Sequence, residues 1–217
     1  MLSLDRVRPD LLLLLSLLLL ILLHPVLDHG PFRRLVMEAL EFVPVVLATV
    51  RLSQIRTRLW PSVVLMIAAI ILAAVDKIWP VPIVIAAKWV ILAVFFAHTA
   101  IGLYFFLRTA RGITGTHLNT AVSVYLLLGI VWFCVYCAID TFQPGSILQG
   151  GSPLDHRESQ LLYFSLITLA TIGYGDIVPV DPEVRMIAAL EGVVGVLYIA
   201  ITVAILVSAF RRSPDVS

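Results

Sequence analysis

The sequence predicts an all-α membrane protein with six membrane-spanning helices and one short re-entrant helix, which enters the membrane without crossing it. Hydrophobic residues make up 60% of the 217 residues and charged residues only 13%, whereas soluble domains average about 45–50% apolar and about 25% charged residues. The apolar residues form long runs, and about 20 such residues in a helix cross a hydrocarbon layer roughly 30 Å thick. The net charge of +1 gives no indication of nucleic-acid binding.

The first apolar run is almost pure leucine and follows Arg6 and Arg8, as in a signal peptide. No small-residue cleavage site follows it, so we expect this run to be retained as the first helix. The other spans are long apolar runs between charged or turn-forming residues. The predicted spans are 9–27, 31–50, 59–75, 81–107, 120–139 and 183–210.

A half-apolar segment, residues 155–170, lies between the last two spans. At 1.5 Å per residue it reaches only about 22 Å as a helix, which is too short to cross the bilayer. Asp155 and Glu158 have the spacing of a capping box, which is typical of a helix start. We therefore predict a re-entrant helix here.

Arginine and lysine residues are unequally divided between the two sides of the predicted membrane protein. With six spans, nine of the 15 basic residues fall on the side of the two termini and five on the other side, while Lys88 stays within the membrane. Because short cytoplasmic segments carry an excess of these residues, we expect a multi-pass protein of the cell membrane with both termini cytoplasmic.

The segment 168–176, which reads TLATIGYGD, joins the short helix to the last span. Rings of backbone carbonyls from four subunits can replace the hydration shell of a potassium ion. For these carbonyls to face one axis the backbone must alternate in conformation, and Gly173 and Gly175 permit the positive φ values that this requires. Thr171 adds a ring of hydroxyls, and Tyr174 is placed to hold the ring diameter.

This segment resembles the potassium channel signature T-x-x-T-x-G-Y-G-D, and the resemblance extends over residues 117–212. It implies a homotetramer in membrane lipid that conducts potassium passively, is not an enzyme, and uses no cofactor and no metal other than potassium at the filter. By the resemblance, Thr168 belongs to the pore helix and Asp176 to the outer mouth. The implied selectivity filter comprises Thr171, Ile172, Gly173, Tyr174 and Gly175.

The resemblance also implies a division into two domains. Residues 113–217 correspond to a potassium channel pore domain, and residues 1–112 form a four-helix domain in the place of a voltage sensor. The fourth helix lacks the repeated arginines of such sensors, because Lys88 is its only permanent positive charge before residue 108. Lys88 and Glu38 each lie seven residues into their helices, about 10 Å deep. We therefore predict a fixed ion pair of Lys88 with Glu38, or with Glu41 one turn further on.

Three residues of the last span are candidates for supporting roles. Glu191 would be costly at membrane depth unless it is paired or hydrogen-bonded, so we expect it to be hydrogen-bonded behind the pore helix. Gly195 lies about 21 residues after Tyr174, where similar channels have a gating hinge, although close helix packing through Gly192 and Gly195 is an alternative. Ile167 stands where some similar channels have a carboxylate behind the filter.

Two other functions remain open from the sequence. Residues 173–176 also fit the G-x-G-D pattern of intramembrane aspartyl proteases, but such an enzyme needs a second aspartate that shares a proton with the first. Asp76 and Asp140 both fall at predicted helix ends. A non-selective cation channel is the other alternative, and the Gly-Tyr-Gly core is atypical of that class.

Overall fold

A computed structural model describes residues 8–25, 33–54, 59–109 and 112–211. Within these ranges the chain forms seven helices and three short strands. The helices are α1 Pro9–Leu23, α2 Arg33–Gln54, α3 Leu59–Ile78, α4 Pro82–Arg108, α5 Gly115–Phe142, α6 Arg157–Leu169 and α7 Pro182–Arg211. The strands are β1 Ile147–Gln149, β2 Ser152–Pro153 and β3 Ile177–Pro179.

Every predicted helix is present, with shifts at its ends. Among the described residues, four stretches are long and apolar enough to cross a membrane: Trp60–Ile78, Pro82–Arg108, Gly115–Phe142 and Pro182–Phe210. The apolar helices at Pro9–Leu23 and Phe42–Ser53 are shorter. The first helix ends at Leu23, before the predicted residue 27, and residues 26–32 lie outside the described ranges.

Helix α5 begins five residues before the prediction because Thr114 and His117 cap it. The backbone N–H of Thr114 donates to Nδ1 of His117 at 3.2 Å, and the Thr114 hydroxyl lies 2.8 Å from the same nitrogen. A side chain at the third helical position thus satisfies a donor that the helix itself leaves unpaired. In the sequence this helix start is a Thr-x-x-His pattern, whereas the more familiar capping box has glutamate in the place of the histidine.

The predicted capping box of Asp155 and Glu158 is wrong. Helix α6 begins at Arg157, and its N-cap residue is His156. The backbone N–H of His156 donates to the side chain of Gln160 at 2.9 Å, and the Ser159 hydroxyl donates to the His156 carbonyl at 3.1 Å. Because the helix starts two residues later than predicted, Gln160 satisfies the orphan donor instead.

The expectation of an all-α chain is also wrong between α5 and α7, where the chain forms a small antiparallel sheet in the order β2-β1-β3. Gly150 and Gly151 join β1 to β2, with φ values of 55° and 84°, as a two-residue hairpin turn requires. Strand β1 also pairs with β3, in the register Gln149 to Ile177. The sheet therefore connects the segment before α6 with the segment after the filter.

A single hydrophobic core runs through α1, α4, α5 and α6 and includes residues of α2, α3 and α7. Helix α4 packs along α5, and α1 also packs against α5. Phe133 of α5 contacts Trp89 and His24 edge to face, with ring centroids 5.3 Å and 5.8 Å apart. The N-terminal helices are thus packed directly on the helices that hold the candidate site.

Candidate functional site

The backbone of the predicted filter alternates in conformation from Thr171 to Gly175. Thr171, Gly173 and Gly175 have φ values of 57°, 55° and 79°, whereas Ile172 and Tyr174 between them do not have positive φ. Gly173 and Gly175 therefore have the conformation that the sequence predicts. Positive φ is a genuine outlier for β-branched Thr171, and such backbone strain is typical of functional sites.

Helix α6 holds the start of this segment through its last carbonyls. The N–H of Ile172 donates to the Ile167 carbonyl at 2.8 Å, and the N–H of Gly173 lies 3.4 Å from the same oxygen. The N–H of Thr171 donates to the Thr168 carbonyl at 2.9 Å. In the described part of the chain, the carbonyls of residues 171–175 accept no hydrogen bond, so these oxygens are available to a cation.

The outer end of the segment is held by the sheet and by α6. The N–H of Gly150 donates to the Asp176 carbonyl at 3.2 Å. Tyr163 of α6 lies beside Asp176, and desolvation together with its interaction with this carboxylate raises the pKa of Tyr163. Gln160 of α6 also donates to the side chain of Gln149 in β1 at 2.5 Å. The filter is therefore anchored at both ends to one short helix.

The side chains of residues 171–176 are exposed on the single chain. Tyr174 is 71% exposed and Ile172 53%. Isolated apolar side chains at a surface are common, but this group lies beside the unpaired carbonyls, so the whole segment presents one contiguous surface for contact with other molecules.

Glu191 is fully buried behind α6 and connects three helices. The Tyr136 hydroxyl of α5 donates to Glu191 Oε2 at 2.5 Å. The Ser165 hydroxyl of α6 lies 2.6 Å from Glu191 Oε1 and 2.8 Å from the Gly129 carbonyl oxygen. The prediction that Glu191 is hydrogen-bonded behind the short helix is confirmed.

Gly195 lies against the carbonyl end of α6. A Cβ built on Gly195 would overlap the Leu169 carbonyl oxygen and would come within 3.0 Å of the carbonyl carbon. A Cβ on Gly192 would lie 3.7 Å from the Thr168 carbonyl oxygen, which is an ordinary contact. This geometry supports the packing interpretation of Gly195, while its role as a gating hinge stays a prediction.

Lys88 forms an ion pair with Asp76, with Nζ 3.4 Å from Oδ2, and its ammonium group lies 4.6 Å from the centre of the Trp89 ring. The predicted partners of Lys88, Glu38 and Glu41, lie outside the residues whose side chains the structure describes. Pairing with them therefore stays a prediction. Asp76 was not predicted as the partner of Lys88, because the sequence places it at the end of the third span, whereas α3 continues to Ile78.

The aspartates that a protease would need are engaged elsewhere. Asp76 pairs with Lys88, Asp140 pairs with Arg157 at 3.4 Å, and Asp176 interacts with Tyr163. The described residues contain no group of three or more His, Cys, Asp or Glu side chains that could hold a metal ion.

Sequence reasoning missed Tyr136, Ser165 and Tyr163. Tyr136 and Ser165 are single polar groups inside apolar helices, and Tyr163 lies six residues before the end of α6. The available signal was that buried hydroxyls need partners, but only the folded chain brings these residues to Glu191 and Asp176.

Residues 123–212 match the family described as Ion channel. Part of the chain is similar to the inward rectifier potassium channel Kirbac3.1 of Paramagnetospirillum magnetotacticum, with 27% identity over 42% of this chain and 28% of that protein. Two pore potassium channel c of Oryza sativa subsp. japonica is 32% identical over 42% of this chain and 18% of its own length. Potassium voltage-gated channel subfamily A member 2 of Xenopus laevis is 28% identical over 48% of this chain and 21% of its own length.

The matched part is less than a third of the length of each of these relatives. No solved structure matches the chain. The matched family and these relatives are channels rather than enzymes, in agreement with the prediction. Residues 123–212, which contain the alternating segment and the helices around it, therefore match an ion channel family, and the relatives similar to this part of the chain are potassium channels.

Proposed function

We propose that this chain is one subunit of a homotetrameric, potassium-selective channel that conducts potassium down its electrochemical gradient. The observation that carries this proposal is the alternation of positive φ at Thr171, Gly173 and Gly175. Alternating conformations turn successive carbonyls toward the same side of the backbone, which is the arrangement that replaces a hydration shell.

In this proposal four copies meet around the exposed filter segments. The Thr171 hydroxyl and the carbonyls of residues 171–174 form the potassium sites, and Asp176 lies at the outer mouth. The carbonyl end of α6, near Ala170, points its partial negative charge at a cavity below the filter. The exposure of Tyr174, 71% on the single chain, is accounted for if a neighbouring subunit covers this ring.

We further propose six spans with both termini cytoplasmic, in the cell membrane. The apolar face of α1, with leucines such as Leu15 and Leu22 that are 51% and 67% exposed, would face lipid. Helix α6, with 13 residues, is about 20 Å long and would be re-entrant. Residues 113–217 would form the pore domain and residues 1–112 a four-helix domain, packed on it through α1 and α4.

A liposome flux assay tests this function. Vesicles containing the purified protein and potassium chloride are diluted into sodium chloride, and potassium efflux is followed by proton uptake through a protonophore. We expect uptake that starts without valinomycin in protein vesicles and only after valinomycin in empty vesicles. The function is wrong if protein vesicles behave like empty ones, and a non-selective pore is indicated if external sodium dissipates the potential.

A further inference from the structure

Three short contacts link Glu191 to its neighbours, and counting their hydrogens sets the charge of this residue. The oxygen pairs are Tyr136 with Glu191, Ser165 with Glu191, and Ser165 with the Gly129 carbonyl, at 2.5, 2.6 and 2.8 Å. Each distance is that of an O–H···O hydrogen bond. Each contact therefore needs one hydrogen between its two oxygens.

Tyr136 and Ser165 supply only two hydrogens, because each hydroxyl carries one. An ionised Glu191 carries none, and the Gly129 carbonyl only accepts. One of the three contacts would then join two oxygens without a hydrogen. A protonated Glu191 supplies the third: Tyr136 donates to Oε2, Oε1–H donates to Ser165, and Ser165 donates to Gly129. All three contacts are then satisfied.

Among the described residues, no lysine or arginine forms an ion pair with Glu191 and stabilises a carboxylate there. The titratable side chains that face it are Tyr136 and Tyr125, both on α5. A buried carboxylate without a cation carries a large desolvation cost, which neutralisation removes.

We infer that Glu191 is a neutral carboxylic acid that positions the pore helix, by passing a chain of hydrogen bonds from Tyr136 through Ser165 to Gly129. This inference rests on the proposed function for its consequence. Ser165 lies two residues before Ile167, whose carbonyl accepts from Ile172 and Gly173 of the filter. The network therefore holds in place the part of α6 that contains Ile167, whose carbonyl accepts the hydrogen bonds from the filter.

Close packing at Gly129 makes the network possible. A Cβ on Gly129 would lie 2.8 Å from Leu166 Cδ2, so the absence of a side chain brings α6 near enough for Ser165 to reach the backbone of α5. The carbonyl of Gly129 already lies inside α5, and Ser165 supplies an additional donor to it.

Infrared spectroscopy tests the protonation directly and does not depend on conduction. We expect the difference spectrum between wild type and Glu191→Gln at neutral pH to show loss of one carboxylic-acid C=O band. Glu183→Gln, which changes an exposed glutamate in the first turn of the same helix, should not remove that band. Loss of a carboxylate band in Glu191→Gln instead would overturn the inference, even if the protein conducts as proposed.

Potassium flux tests the positioning role. The amide of Glu191→Gln accepts from Tyr136 and donates to Ser165, so its flux should stay within about twofold of wild type. Glu191→Ala leaves both hydroxyls without this partner and should lower flux or tetramer yield at least about tenfold. Alkaline pH that ionises Glu191 should reduce flux in wild type and leave Glu191→Gln unchanged. Equal impairment of the Gln and Ala variants would contradict the neutral acid.

If wild type shows no flux, the proposed function fails while the infrared result still decides the charge of Glu191. If Glu191→Ala does not assemble, the comparison of wild type with Glu191→Gln across pH remains decisive. A wild type and a Gln variant with the same alkaline loss would assign that loss to another group and overturn the role of Glu191.

Discussion

Gly195 of α7 is packed so closely on Leu169 of α6 that a Cβ at Gly195 would overlap the Leu169 carbonyl oxygen. The atom in the way belongs to the backbone at the end of the helix that holds the filter. It cannot turn aside as a flexible side chain can. The Tyr125 hydroxyl also lies 3.4 Å from the same carbonyl oxygen, so α5 and α7 meet at this point.

We predict that Gly195→Ala displaces the end of α6 and lowers both tetramer stability and potassium flux. Overpacking of this kind costs about 1–3 kcal/mol. Gly192→Ala is the matched control, because its Cβ meets only ordinary contacts and alanine favours a helix over glycine by about 1 kcal/mol. Thermal unfolding and flux measure both effects. A stable Gly195→Ala tetramer with changed open probability alone would indicate a hinge instead.

Gly175→Ala tests the placement of the filter. Nothing lies within 4 Å of a Cβ at this position in the single chain, so the cost comes from the positive φ and amounts to about 1–2 kcal/mol. We expect the protein to assemble but to lose selective potassium conduction. Gly151→Ala imposes the same conformational cost at φ 84°, outside the filter, and should keep selectivity. Unchanged selectivity in Gly175→Ala tetramers would show that the filter lies elsewhere.

The Lys88–Asp76 ion pair predicts weak voltage dependence. One charge crossing 100 mV is worth about 2.3 kcal/mol, so four unpaired Lys88 side chains crossing the whole field would supply at most about 9 kcal/mol. A pair that moves together carries no net charge. We expect a shallow conductance–voltage relation in single-channel recordings, with the same slope in Lys88→Gln. A steep relation that Lys88→Gln abolishes would establish Lys88 as a gating charge.

The same variant should lower stability, because it leaves Asp76 largely buried without its cation. The expected loss is about 1–3 kcal/mol in the free energy of unfolding. The double variant with Asp76→Asn should recover part of it, whereas equal losses in the single and double variants would mean that the ion pair contributes nothing.

Tyr163→Phe removes the hydroxyl that interacts with the Asp176 carboxylate at the outer end of the filter. The ring remains, so α6 should fold and pack as before. We predict a conducting state that decays faster during sustained recording, since one interaction with Asp176 at the outer end of the filter is lost. Tyr104→Phe on α4, away from the filter, serves as the control. Equal decay rates in wild type and Tyr163→Phe would show that this interaction does not stabilise the conducting filter.

The helices and the two filter glycines were predictable because their signals are local. A long apolar run predicts a span from composition alone, and Gly-x-Gly after a short helix indicates positive φ at Gly173 and Gly175. Positive φ at Thr171 had no such signal, since a β-branched residue rarely adopts it. Only the hydrogen bonds to Ile167 and Thr168 account for the tight turn that begins there.

The contacts that depend on distant parts of the chain were not predictable. Gln149 pairs with Ile177 across the whole pore segment, and strands of two or three residues are too short to show alternation. Lys88 and Asp76 face each other because α3 runs three residues beyond the predicted end and turns directly into α4. The Tyr136–Glu191–Ser165 network likewise requires three helices to converge. The sequence therefore predicts that Glu191 is hydrogen-bonded, but it does not identify the partners.

The reversal potential of the purified protein in a planar bilayer measures the potassium selectivity of the pore itself. Potassium is placed at high concentration on one side and sodium on the other, with equal chloride on both sides. We predict a reversal potential that follows the potassium equilibrium potential when the potassium gradient is changed. A reversal potential near zero under these opposed gradients would contradict it, because the pore would then pass sodium as readily as potassium.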